Sequence, residues 1–337
     1  MTHTPSRRRA LQAGLQAGGA AAAVAAFPDF LFASAHAQSA WPSKPIRLLV
    51  PFAPGGSSEI VARSAANELT KSLGQTVYVE NKPGASGNIA MQECATSTDG
   101  HTIILGHIGT MAVNPFIFDK LPFDTNRDFK PISLLAKVPS LYVVNAGVPA
   151  NNLKEFIALA KVKPGQLNYG SAGNGSAGHL AFEYLKMAAG IFVLHVPYRG
   201  TGPQLTDLLA GRLEAASVGA PAILAHIKSG KLRCIATGTR ERLPQLPDVP
   251  TVAESGYPGF EMTQWYGLNA PANMPQANID RIAEACNKAM HNPQATERLR
   301  GDTAQPIGDT PAQYGAFIKA EQVRWKEVTT RAKIKPD

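Results

Sequence analysis

Glycine and serine crowd into turns of this chain where bare backbone N–H groups could do chemistry. The segment LNYGSAGNGSAGHLAFEYL (167–185) spaces Gly173, Gly175 and Gly178 as G-x-G-x-x-G, between a strand-like and a helix-like run. That is the setting of a dinucleotide-binding turn. A second turn, APGGSS (53–58), lies in the other half of the chain and also opens into a helix-like run. Two more, KPGASG (82–87) and GHIGT (106–110), follow strand-like runs. Glycine lets a ligand approach the backbone, and the first N–H groups of a helix lack internal partners. Ser57, Ser58, Ser171 and Ser176 add hydroxyl donors. This chemistry suits an anion, most simply a carboxylate. One helix terminus contributes about 0.3–2 kcal/mol, whereas micromolar binding needs about 8 kcal/mol. Several turns from both halves must therefore converge.

Enzyme chemistry fits these residues less well. A dinucleotide site requires an Asp or Glu at the end of the next strand, about 20 residues on. Here that strand ends HVPYRG (195–200), with Tyr198 and Arg199 and no acid. Arg199 could meet a 2′-phosphate, which leaves an NADP-binding exported oxidoreductase using Gly173, Gly175 and Gly178 as the enzyme alternative; equally, Tyr198 and Arg199 could simply brace a turn. The serine-hydrolase pattern G-x-S-x-G is nearly met by NGSAG (174–178) and YGSAG (169–173), but each lacks the first glycine. His179 stands too close to Ser176 for a triad, although His195 could be a partner. SGKL (229–232) lacks the hydroxyl residue of a phosphate loop. The eight histidines contain no H-E-x-x-H; no metal and no cofactor is expected, and no enzyme. Cys94, Cys234 and Cys286 form no C-x-x-C. They read as small buried residues, although one pair could bridge in an oxidising compartment.

The elements that must position these turns alternate. Runs 46–52, 76–80 and 101–107 read as strands, with helices over 59–74 and behind residue 87. The series restarts with helix 153–162, then strand, helix, strand, helix, strand, helix and strand up to LRCIATG (232–238). Strand, glycine turn, helix, strand is the βαβ pattern, so the expected class is α/β with mainly parallel sheets flanked by helices. Two proline-rich stretches, 121–149 and 243–271, carry the chain between the units, and the tail 275–333 reads as wholly helical. The division expected is residues 42–140 plus 261–337 as a first domain with 141–260 inserted as a second. Two crossings make a hinge around a cleft.

The N-terminus reads as an export signal. Arg7, Arg8 and Arg9 precede an Ala/Gly-rich run and Ala35-His36-Ala37, so residues 1–37 form the expected leader, cleaved after Ala37 into the periplasm. Arg7-Arg8 with Leu11 matches the twin-arginine type, with Ala10 and Gln12 as departures. The 337-residue chain carries a net charge of +8. Removing residues 1–37 takes out three arginines and Asp29, leaving 30 basic against 24 acidic residues, or +6. The basic residues are scattered without aromatic interleaving, which argues against nucleic acid, while a modest positive field favours anions. No later stretch is apolar for about 18 residues.

The motifs VPFAPGGSSEIVAR, VENKPGASGNIA, GHIGTMAVNP, LPFDTNRDFKPISLLA, NYGSAGNGSAGHLAFEYLK, HVPYRGTGPQLTDLLAG, IKSGKLRCIATG and LPDVPTVAESGYPGFE follow one another from about residue 42 to the C-terminus. In type and order they resemble the Bug family, the TctC-type extracytoplasmic solute-binding proteins of tripartite tricarboxylate transporters. The resemblance implies a type II-like periplasmic binding fold, a monomer that closes over a small carboxylate, and handover to a membrane permease of one large and one small subunit. A ligand sensor feeding a signalling partner would use the same site. Carried over, the carboxylate contacts are Phe52, Ala53, Gly55, Gly56, Ser57 and Ser58 on one side, and Ser171, Ala172, Gly173, Gly175, Ser176 and His179 on the other. Thr110 and Asn114 join them from GTMAVNP. Glu59 stands where the family usually has Asp, and reads as either a helix N-terminal acid or a ligand contact. Ser217-Val218-Gly219 stands where many members have Phe-Asp, so a ligand ammonium would lack its usual partner. The expected ligand is a non-amino mono- or dicarboxylate. Trp41, Trp265 and Trp325 read as packing residues; Trp265 and Tyr266, near the second crossing, have facing the cleft as the lesser alternative.

Overall fold

The computed structural model describes residues 41–331 with Ile334 and Lys335. The leader, its twin-arginine motif and the Ala37 cleavage site lie outside the described residues. The described residues belong to one compact unit. Among the described residues there are ten strands: β1 (Ile46–Val50), β2 (Val77–Asn81), β3 (Thr102–His107), β4 (Phe129–Asn145), β5 (Asn168–Ser171), β6 (Leu194–Pro197), β7 (Ala215–Gly219), β8 (Leu232–Thr237), β9 (Thr263–Pro271) and β10 (Gln305–Pro306). The helices between them are α1 (Ser57–Leu73), α2 (Asn88–Thr96), α3 (Asn114–Ile117), α4 (Leu153–Val162), α5 (Ala177–Ala189), α6 (Thr201–Leu209), α7 (Ala220–Lys228), α8 (Gln276–His291), α9 (Pro293–Gly301) and α10 (Pro311–Arg331). A π-helical turn, Ile108–Val113, joins β3 to α3. Among the described residues, no helix is long and apolar enough to cross a membrane.

Local sequence explains the elements. Strand β1 is apolar at almost every position because both faces of a parallel sheet are covered. Helix α1 buries Ser58, Val61, Ala62, Ala65, Leu69 and Leu73, one stripe at helical spacing, and Gly74 ends it in the left-handed conformation. Helix α5 starts on the Ser176 hydroxyl, which accepts the His179 N–H, and stops at Gly190 in the same left-handed way.

Among the described residues, strands pair parallel where β1 meets β2 and β3 and where β5 meets β6 and β7, with one isolated parallel bridge between Thr237 and Thr251. The proline-rich crossings behave differently from the expected linkers. Stretch 121–149 contains β4, which pairs antiparallel with β9 over Phe129–Pro139 and then with β7 and β8 over Ser140–Asn145. Strand β9 also lies antiparallel to β3. A chain that leaves along β4 and returns along β9 runs in opposite directions and needs no helical crossover. Pro131 is tolerated because the β4–β9 register shifts just after it, and Pro139 stands at the end of that pairing, where β4 changes partner from β9 to β7. The tail is not wholly helical: Gln305 and Pro306 add β10 to β4.

The core lies on both sides of this mixed sheet. Leu48, Val50 and Leu105 pack with α1 and α8. Leu49, Ile104 and Trp265 face the other way, with Trp325 of α10. Leu141, Val143 and Val218 pack against α6 and α7. Trp265 donates its indole N–H to Glu321 at 2.8 Å, and Trp325 donates to the same oxygen at 3.1 Å. All three cysteines are buried free thiols.

Candidate functional site

Four helices begin at one cleft. Ser57 and Ser58 open α1, Ser176 and Ala177 open α5, Thr201 opens α6 and Gly219 caps α7, and all of them line it. Each follows a strand or a strand-end turn, so the sheet delivers the four N-termini to one place. The remaining wall is Phe52, His107, Ala172, Gly178, Gln204, Ser217, Val218, Gln264 and Tyr266. The cavity volume is about 30 Å³, room for about two waters. Phe52 and Ala172 also border a wider outer cavity, where Gly173, Asn174, Tyr198, Arg199 and the 84–87 turn form the rim.

Among the described residues, no Asp or Glu lines either cavity, and Arg199 is the one charged lining residue. The N-terminal ends of the four helices therefore set the field at the inner cleft, and that field is positive. Three buried side-chain atoms there have no partner among the described residues: Ser57 Oγ, Ser217 Oγ and His107 Nε2. His107 stacks on Phe52 at 4.5 Å and 15°. Burial lowers its pKa to about 4, so the ring is neutral at ordinary pH.

Of the residues expected at the site, Phe52, Ser57, Ser58, Ala172, Gly173 and Ser176 reach a cavity wall. The others stand behind it and hold the turns. Ala53 donates its N–H to the Arg199 carbonyl at 3.2 Å. Gly55 donates to Glu59 Oε2 at 2.7 Å, while Arg63 donates to the other Glu59 oxygen. Glu59 thus acts as the helix N-terminal acid that ties its own loop. Gly56 caps α1 against Thr201. Ser171 bonds His195 Nε2 at 2.6 Å and the backbone of Gly173. Gly175 donates to His179 Nδ1 at 3.0 Å, and the His179 ring stacks on His195 at 4.2 Å. Thr110 exchanges hydrogen bonds with His107. Asn114 donates to the Ser86 carbonyl and Asn88 Oδ1.

The glycine pattern has a packing explanation. A Cβ on Gly178 would stand 2.4 Å from the Ser217 carbonyl, so this glycine seats α5 directly on β7. Gly173 faces the Tyr198 carbonyl in the same manner, at 3.0 Å. Tyr198 is held by Asp207, at 2.7 Å, and Arg199 is exposed on the outer rim. Sequence reading missed His107, Gln204 and Gln264 as lining residues. His107 had a signal, as the polar residue ending an apolar strand before a glycine turn; the two glutamines had none. Trp265 is a core residue while Tyr266 lines the cleft, because neighbours on a strand point to opposite faces.

Residues 61–334 match the model of the tripartite tricarboxylate transporter family receptor, TctC. Protein BugT of Bordetella pertussis is 36% identical over 299 residues, covering 88% of this chain and 92% of that protein. A solved periplasmic transporter superposes with a TM-score of 0.85 at 37% identity, covering 88% of this chain and all of the other. A Rhodopseudomonas palustris protein with adipate gives 0.85 at 34% identity, with the same coverage. MatC of that organism, with bound malate, gives 0.81 at 32%, covering 85% of this chain and 99% of MatC. The α/β fold is thus that of periplasmic binding proteins. The chain belongs to the tripartite tricarboxylate transporter receptor family, whose members are solute-binding receptors and not enzymes.

Proposed function

We propose that this receptor works in the periplasm, captures a small carboxylate without an ammonium group, and delivers it to a membrane permease of one large and one small subunit. The observation that carries the ligand class is the meeting of four helix N-termini in a cleft with no lining Asp or Glu. Carboxylate charge is stabilised there, whereas an ammonium would find no anionic partner. The relatives solved with adipate and malate support the same class.

Residues 42–140 with 261–337 act as one domain and 141–260 as the other, hinged at β4 near Pro139–Ser140 and at the return into β9. Support comes from the change of partner strands between Pro139 and Ser140. The small cavity volume adds to it, because a carboxylate of several carbons enters only if the walls part. The test is a thermal-shift and calorimetry panel of mono- and dicarboxylates, aspartate and glutamate on the mature protein. Stabilisation by adipate, malate or another non-amino acid is expected. Aspartate or glutamate as the tightest ligand, or no stabilisation by any carboxylate, overturns the reading.

A further inference from the structure

His107 is the one unpaired donor of the cleft whose chemistry the surrounding structure dictates. Its Nδ1 accepts the backbone N–H of Thr110 at 3.1 Å, and the His107 backbone N–H donates to Thr110 Oγ1 at 3.2 Å. A backbone N–H can only donate, so Nδ1 carries no hydrogen and the neutral ring keeps its proton on Nε2. The Phe52 ring stacked alongside holds the imidazole plane. Nε2 is therefore a fixed donor, buried in a residue only 3% exposed, with no acceptor. Buried donors are almost always paired, and an unpaired one needs a reason. Ser57 Oγ, from α1, and Ser217 Oγ, at the end of β7, line the same cavity and are also unpaired.

We propose that His107 Nε2–H is the specificity-determining donor of the cleft, taking one oxygen of the ligand carboxylate while the Ser57 and Ser217 hydroxyls turn to the same group. The proposal rests on the carboxylate reading of the cleft. One anionic group then bridges both halves of the chain, since His107 and Ser57 come from the first and Ser217 from the second. A ring locked as a donor selects an acceptor oxygen and turns away an ammonium.

The experiment uses the mature protein with ring-¹⁵N histidine, its His107→Phe and His107→Gln variants, and adipate and malate as probes. Long-range ¹⁵N–¹H spectra should show the Nε2–H tautomer for His107 in the free protein and a shift of Nε2 when the tighter probe binds. By calorimetry, His107→Phe should weaken that probe by about tenfold or more, the size of one charge-assisted hydrogen bond. His107→Gln, which keeps an N–H donor, should recover part of the loss. A proton on Nδ1, or unchanged affinity in a folded His107→Phe, overturns the proposal. So does a probe that stabilises the protein without moving Nε2, and in that case the carboxylate reading stands alone. If no carboxylate binds the wild type and Nε2 never moves, both fall. Should His107→Phe fail to fold, the wild-type spectra still decide.

Discussion

Two histidines set the behaviour of the cleft at the residue scale. Desolvation lowers the pKa of His107 to about 4, and it lowers that of His179 to about 4 with help from the nearby Lys186 charge. The unfolded chain has ordinary imidazoles near 6.5. Between those values the unfolded state binds more protons, so stability falls as pH drops from about 6.5 to about 4 and is fully present above that window. Each histidine contributes up to about 1.4 kcal/mol per pH unit. Urea midpoints should decline from pH 6.5 downward, before the lowered carboxylates begin to protonate. The double variant His107→Gln/His179→Gln should flatten that decline; an unchanged slope would show that neither ring is held neutral by burial. That serines 57, 58 and 176 line the cleft was legible because their place after a glycine turn is a local property. The donor role of His107 was not, since it depends on which nitrogen Thr110 occupies.

At the scale of elements, α10 is anchored by Glu321. Its Oε2 accepts both the Trp265 indole on β9 and the Trp325 indole one turn along its own helix. Both tryptophans are essentially fully buried. Glu321→Ala leaves two buried N–H groups without an acceptor and should cost roughly 2–4 kcal/mol in denaturant unfolding. A loss below about 1 kcal/mol would mean that water or another acceptor replaces the carboxylate. The helices and βαβ strands were readable because helical spacing, caps and glycine stops are written within each segment. Strands β4 and β9 were not, because proline-rich runs carry no alternation. Only pairing with a partner far along the chain, such as Phe129 with Pro271 and Pro139 with Thr263, makes a strand of them.

For the whole molecule, the two halves meet through backbone. Gly202 Cα lies close to the 53–56 turn, and a Cβ there would stand 2.4 Å from the Pro54 carbonyl. On the proposed hinge reading, Gly202→Ala blocks full closure. The substitution also favours α6 locally, because alanine is the better helix former. The expected result is an unliganded melting temperature that does not fall, with affinity for the best carboxylate of the panel reduced about tenfold or more, equal to about 1.4 kcal/mol. Calorimetry and melting curves read the two effects separately; a parallel loss of both would instead make Gly202 a simple folding residue.

The sequence by itself determined the family, the βαβ series, the serine-glycine turns and the absence of an acidic residue at Ser217–Gly219. Each is a property of a short segment or of motif order. The tertiary structure alone decided that four helix N-termini share one cleft, and that Glu59, Ser171 and His179 hold turns behind its wall. It also decided that His107, Ser57 and Ser217 are left with unpaired buried atoms. Those facts depend on which backbone groups are already satisfied across the sheet, and no segment carries that information about another.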